Sequence, residues 1–376
     1  MSKSETLNEN MRGCEALLSQ IKKNREDIYD YLCEKAKDSN IFVGIRDNCF
    51  NLYYKGQSVG MIKIRKNEKG DRWFSVKNKF IDTKLATGSD YSWLSFQEFK
   101  DSYETIKTRI NELDKGTTRE KTFQQEIVLK TNELSSDWFC LDMEYNQEGE
   151  RVGRFDIVAV SRRKKEGKHR VAIIELKVGA DSYGTSLNEY VNNPELKPRY
   201  EAVRTKPNSL FSNENRCLKY GSGVVGHIVD FLRYLPSDGY QTMLKHEIPQ
   251  IIKCQYQLGV AIPREIMDIT IEDLASKPEV VFLCYTNKKS PATSSLKKRF
   301  GNQLFVRENS SDYALQKWIC NHDISSILSI ESDLAGEKDI ISFKQAIAGE
   351  QYKFSLVFVD SKNDTCWLSL DRLVLK

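Results

Sequence analysis

At 376 residues the chain exceeds one ordinary domain, and its 40% hydrophobic and 29% charged content excludes wholesale disorder. The 57 basic and 53 acidic residues leave a net charge of only +4, so a nucleic-acid partner has to be argued from where charges stand, not from their sum. Nine cysteines without a CxxC pair argue against a disulfide framework and structural zinc, and no apolar run approaches the roughly 18 residues of a membrane span, so a cytoplasmic protein without a membrane partner is expected.

From Leu7 to Ala36 apolar residues recur at helical spacing, which predicts one or two amphipathic helices. The period then becomes that of strands: Ile41–Ile45, Cys49–Tyr54 and Ser58–Ile64 are short β-branched and aromatic runs, divided by turn residues such as Lys55-Gly56. Ser95 and Glu98 form a capping box, and Phe99, Tyr103, Ile106, Ile110 and Leu113 follow a four-three repeat as far as Gly116. These elements make an N-terminal α+β region, 1–116. A second box, Thr117 to Glu120, opens a helix with Phe123 and Ile127 turned inward. Strands are predicted at Trp138–Tyr145, Phe155–Val160, Val171–Val178 and Val280–Tyr285, and helices at Val224–Leu235 and His246–Leu258. Between them, Gly179 to Gly223 lacks periodicity and reads as functional loops or a lid. This central region, 117–310, is followed by an α/β extension, 311–376, with a helix around Trp318 and strands at Phe354–Val359 and Cys366–Leu375.

The chemistry concentrates in two of these strands. In Val171–Val178 both faces begin apolar, as in a buried central strand, yet Glu175 and Lys177 share a face at its end. Such charges are costly unless compensated. The preceding strand carries one charge, Asp156, where it begins. In an antiparallel hairpin with Val160 opposite Val171 and a basic loop at Ser161–Arg170, Asp156 falls opposite Glu175 on the same face. Their β-carbons then stand about 4.5–5.5 Å apart, and the carboxylates repel by several kcal/mol at an effective dielectric of about 20. A hard divalent cation, Mg²⁺ or Mn²⁺, meets the need for positive charge between them, and Lys177 reaches the edge of the site, placed to stabilise a phosphate or orient a water. The implied reaction is metal-assisted hydrolysis of a phosphodiester.

Asp156 in Gly153-Arg-Phe-Asp156, Glu175-Leu-Lys177 at the end of the next strand, and Glu126 on the helix before them resemble the PD-(D/E)xK nuclease superfamily, with Phe155 where the motif has proline. The resemblance spans Thr117 to Tyr285. It implies a restriction-endonuclease-like α/β fold, a mixed central sheet flanked by helices, here with α+β additions at both ends. It also implies metal held by Asp156, Glu175 and the carbonyl of Leu176, catalysis by Lys177, and support of the metal or its waters by Glu126. The function it implies is a Mg²⁺-dependent (or Mn²⁺-dependent) endonuclease, a hydrolase acting on DNA in preference to RNA, in restriction, antiviral defence or repair.

Each assignment has a plainer counterpart. Glu126 and Lys130 also form an ordinary helix-surface pair, and His227, where relatives often place Gln or Lys, is also readable as a satisfied, partly buried histidine beside Ile228 and Phe231. The basic residues Arg154, Arg162, Arg163, Lys197, Arg199 and Arg204, with Tyr183, are candidate nucleic-acid contacts, although charge-rich loops are commonly just solvated. The terminal regions are expected to recognise substrate, mediate homodimerisation or buttress the core. The competing reading of the whole is a catalytically silent nuclease-like module that binds nucleic acid or assembles with it.

Overall fold

The computed structural model describes residues 15–46, 49–66, 72–78, 80, 92–113, 119–133, 136–146, 154–178, 227, 231, 234–235, 239–286, 340–347 and 350–360. Two helices, α1 (Glu15–Asn24) and α2 (Glu26–Ala36), open the chain and bury Leu18, Ile21, Ile28 and Leu32, as the spacing predicts. An antiparallel sheet follows in sequential order: β1 (Ile41–Ile45), β2 (Cys49–Tyr54), β3 (Gln57–Lys66), β4 (Arg72–Asn78) and β5 (Ser92–Leu94). The last two strands go beyond the three expected. β5 has only three residues, too few to display a period. Helix α3 (Phe96–Leu113) begins at the expected capping box, with Ser95 Oγ accepting from the Glu98 N–H and Glu98 accepting in return from the Ser95 N–H at 2.7 Å.

The second sheet has six strands in the order β10-β11-β9-β8-β7-β6. They are β6 (Trp138–Asn146), β7 (Arg154–Lys165), β8 (Lys168–Val178), β9 (Glu279–Thr286), β10 (Ile340–Ile347) and β11 (Glu350–Asp360). β9 runs parallel to both β8 and β11 and the other pairs are antiparallel, so the sheet is mixed. The C-terminal strands therefore extend the central sheet through its parallel edge. The helix around Trp318 and the strand at Cys366–Leu375 lie outside the described residues. Helix α4 (Arg119–Glu133) packs with Ile157, Ala172, Ile174, Val281 and Leu283 on one face. On the other, α5 (Lys245–Gln257) joins Val158, Val160, Val171, Ile173 and Phe282 in a core shared with α1 to α3. Among the described residues no helix is long and apolar enough to cross a membrane.

Two polar clamps join the sheets. β1 and β6 are each the edge of their own sheet. Arg46, just past β1, donates to both Asp142 oxygens of β6 at 2.5 and 2.6 Å and to the Met143 carbonyl at 2.6 Å. A sheet edge that would otherwise expose its carbonyls is thus covered. The second clamp is Gln125 of α4, which accepts from the Gly56 N–H at 2.6 Å and donates to the carbonyls of Asn40 and Tyr53 at 2.8 and 3.1 Å. This contact needs glycine: Gly56 has φ +70°, and a β-carbon there would stand 2.1 Å from the Lys121 carbonyl oxygen.

Replacing Arg46 by Met withdraws the guanidinium from a carboxylate that is 1% exposed, and urea unfolding is expected to register a loss of about 3–5 kcal/mol. Gly56→Ala, forced against backbone, is expected to cost more than about 1 kcal/mol in the same measurement.

Candidate active site

β7 and β8 pair from Ile157 opposite Ile174 to Val160 opposite Val171, the register read from the sequence. Beyond Val160 the expected loop is instead a continuation of the hairpin. The ladder shifts, resumes with Lys164 opposite His169, and closes in a two-residue turn at Glu166 (φ 54°) and Gly167 (φ 79°). Its basic residues have acidic or carbonyl partners: Lys164 to Asp273 at 2.5 Å, Arg163 to Asp137 at 3.1 Å, and Arg162 to the carbonyls of Thr131 and Asn132 at 3.4 Å. Arg170 forks onto both oxygens of Glu279. At about 3.3 Å per residue, Arg162 and Arg163 stand about 20 Å from Asp156, at the opposite end of the hairpin.

At the near end the two strands part. Their pairing stops at Ile157 and Ile174, while β7 stays paired to β6 as far as Arg154 and β8 to β9 as far as Val178. Asp156 stands in the resulting fork. Its Oδ2 accepts the Leu176 N–H at 2.7 Å, replacing a ladder bond, and its carbonyl accepts from Gln124 of α4. Strict alternation fails here too. Glu144, with φ 54°, breaks the pleat of β6, and the paired residues Tyr145 and Phe155 lie in the opposite core from Met143 and Ile157. Phe155 stacks on Tyr145 at 5.4 Å and on Phe231 at 5.6 Å, with the Tyr234 ring edge-on at 4.8 Å.

That stack delivers a further group. His227, Phe231 and Tyr234 have helical backbone, and His227 is one turn from Phe231. With Phe231 anchored on Phe155, the His227 Nδ1 lies 3.1 Å from Glu175 Oε1. Lys177 Nζ donates to the same oxygen at 2.7 Å. From the opposite side, Glu120 of α4 accepts from the Val178 N–H at 3.4 Å. Glu120 and Gln124 are one turn apart on one helix face, whereas Glu126 lies about 200° around from Gln124 and is exposed. The helix thus presents Glu120 to the fork, in the place expected of Glu126. The legible signal was the capping box, whose second member has a longer reach than its cap.

Glu175 and Lys177 are 4% and 5% exposed, and Asp156 is half-buried. Burial, reinforced by Glu175, pushes the Asp156 carboxyl well above the usual carboxylate range, against the Leu176 N–H and Lys177, which pull it down. Burial also works against the charge on Lys177, but Glu175, Asp156 and Glu120 outweigh it and hold the ammonium above its ordinary value. No group of three or more His, Cys, Asp or Glu suited to a metal occurs among the described residues. The fork offers the oxygen donors of two carboxylates, Asp156 and Glu175, a chemistry that suits a hard ion keeping several waters. Arg154 is exposed near the mouth of the fork, 3.4 Å from Asn146, and Tyr183, Lys197, Arg199 and Arg204 lie outside the described residues. Comparisons of the chain with protein-family models, curated proteins and solved structures found no match.

A carboxyl whose pKa is raised by folding binds its proton more tightly in the native state. Its stabilising effect is present below the unfolded value near 4 and is lost as pH rises through the raised one. Asp156→Asn is therefore expected to unfold at a higher temperature than the wild type at pH 7 in chelator, with the gap closing towards pH 4. A variant less stable at both pH values would contradict this electrostatic account.

Proposed function

We propose that the chain is a divalent-metal-dependent nuclease of the PD-(D/E)xK type, with a restriction-endonuclease-like core, hydrolysing phosphodiester bonds in DNA. The observation that carries this reading is the fork: Asp156 and Glu175 leave adjacent strands just past their last pair, and the Lys177 amine is 2.7 Å from the second carboxylate. The mixed sheet with helices on both faces is in keeping with it.

Asp156, Glu175 and the Leu176 carbonyl would hold Mg²⁺ or Mn²⁺. Such an ion polarises a phosphoryl oxygen and acidifies a bound water. Lys177, held as an ammonium, offers positive charge to the phosphate as negative charge grows on it. Its partner Glu175 fixes where that ammonium points before substrate arrives. Glu120 adds negative charge that favours the Lys177 ammonium, and Gln124 bonds to the backbone at Asp156. Buried, low-dielectric surroundings strengthen each of these interactions.

The test is cleavage of supercoiled plasmid, linear duplex and single-stranded DNA with Mg²⁺ or Mn²⁺. Asp156→Ala, Glu175→Ala and Lys177→Ala are each expected to lower the rate by at least about 100-fold. Metal should raise the unfolding temperature of the wild type, and Asp156→Ala should abolish that rise. DNA binding without cleavage under every condition would favour the silent module. Cleavage surviving all three substitutions would discard this site.

A further inference from the structure

We propose that Lys121 of α4 is a contact for the substrate phosphate next to the scissile one, and that Glu144 of β6 is the partner that holds its amine while the site is free. The contact rests on the reading of the fork as a phosphodiesterase site and adds a substrate residue to it. The pairs Met143–Ile157 and Tyr145–Phe155 bracket Glu144 and Asp156, so these two acidic residues stand across from each other on β6 and β7. On the other side of Asp156, the next step of the β7–β8 register is Glu175. A row of three acidic residues thus crosses three neighbouring strands, with β6 at the edge of the sheet. Lys121 Nζ lies 3.5 Å from Glu144 Oε1 at the outer end of this row, and Lys177 serves its inner end.

The two lysines differ in how readily they change partner. Lys177 and Glu175 are 2.7 Å apart with side chains 7% and 6% exposed, so parting them would leave a buried charge uncompensated. The Lys121 pair is longer, its side chains are 46% and 35% exposed, and solvated pairs of that kind hold together weakly. The Lys121 amine is therefore the one that an incoming anion can draw away. Its stem stays in place, because a β-carbon on Gly56 would stand 2.1 Å from the Lys121 carbonyl oxygen and 2.7 Å from its Cβ, which puts the β2–β3 turn against this residue. Glu120 and Gln124 beside it bond to the backbones of Val178 and Asp156. A movable amine on a fixed base next to the carboxylates suits a phosphate, which every nucleotide carries, so the contact places the strand without reading its sequence. Glu144 opposes it. The residue is held at φ 54°, a backbone state that costs energy outside glycine, and once the lysine leaves, its carboxylate repels the phosphate.

The experiment uses the full chain and two fluorescent DNA duplexes of unrelated sequence. Binding is followed by anisotropy in Ca²⁺ across a range of KCl, and steady-state cleavage is followed in Mg²⁺. Lys121→Ala is expected to raise Kd and KM about fivefold or more, equally for both sequences, with kcat within about twofold of wild type. It should also flatten the salt slope by about 0.9, the share of one phosphate. Lys121→Arg recovers most of the affinity. Glu144→Gln is expected to lower Kd about threefold, and to do so less on the Lys121→Ala background, while Lys130→Ala, farther along α4, changes none of these values. Wild-type Kd and salt slope in Lys121→Ala, a fall in its kcat at unchanged KM, or weaker binding by Glu144→Gln overturns the proposal, as does absence of DNA binding by the parent protein. A parent protein that binds through Lys121 and cuts nothing removes the phosphodiesterase reading and leaves the phosphate contact. Cleavage that needs Asp156 and ignores Lys121 does the reverse.

Discussion

Two carboxylates at the fork of β7 and β8, with one ammonium between competing partners, set the terms for everything around them. Burial and the neighbouring Glu175 carboxylate both disfavour charge on Asp156, and Lys177 offsets only part of this. Its hydrogen bond goes to Glu175, leaving Asp156 as the group whose charge burial most disfavours. A fold that keeps such a cluster must be held firmly by its neighbours. Here the neighbours are an aromatic stack on one side and a glutamine-bearing helix on the other.

The stack and the helix each reach both strands. Phe155, fixed between Tyr145 and Phe231, sets where β7 begins and thereby where Asp156 stands. The same Phe231 brings His227 to Glu175 on β8. Helix α4 spans both strands, with Gln124 bonded to the backbone of Asp156 and Glu120 to that of Val178. The position of Phe155 is governed by packing: it is 3% exposed and touches three rings. A phenylalanine there supplies the buried area that a proline would not.

Register and central residues were legible in the sequence because they obey strong local rules. The apolar runs Phe155–Val160 and Val171–Val178 mark central strands, and joining them as a hairpin with Val160 opposite Val171 gives the pairing found. Three things were less legible, each for a physical reason. The hairpin's far arms, Ser161 to Arg170, read as a loop because their charges looked solvated, whereas Asp273 and Glu279 from distant segments neutralise them. Glu120 rather than Glu126 faces the fork because helix phase, set by where Ile127 and Val128 bury, cannot be read to within 100° from a helix whose periodicity is weak. The departure of Phe155 from alternation depends on Glu144, a left-handed residue in a strand, which carries no signature of its own.

The N-terminal region is coupled to the site through α4. Gln125 ties this helix to the β2–β3 turn and to Asn40, while the residues before it, Glu120 and Gln124, reach into the fork. Adjacent residues on one rigid helix therefore report to both sheets, and Gly56 lets the turn approach closely enough for the bond to form. Arg46 makes a second, ionic tie between the sheets at β6, beside the Glu144 kink that redirects Tyr145 and Phe155. The N-terminal sheet thus abuts both supports of the fork, the helix and the strand end beneath the aromatic stack. A displacement of that sheet could not leave Asp156 in place without breaking one of these ties, so the geometry of the carboxylates depends on a region with no acidic residue in the fork itself.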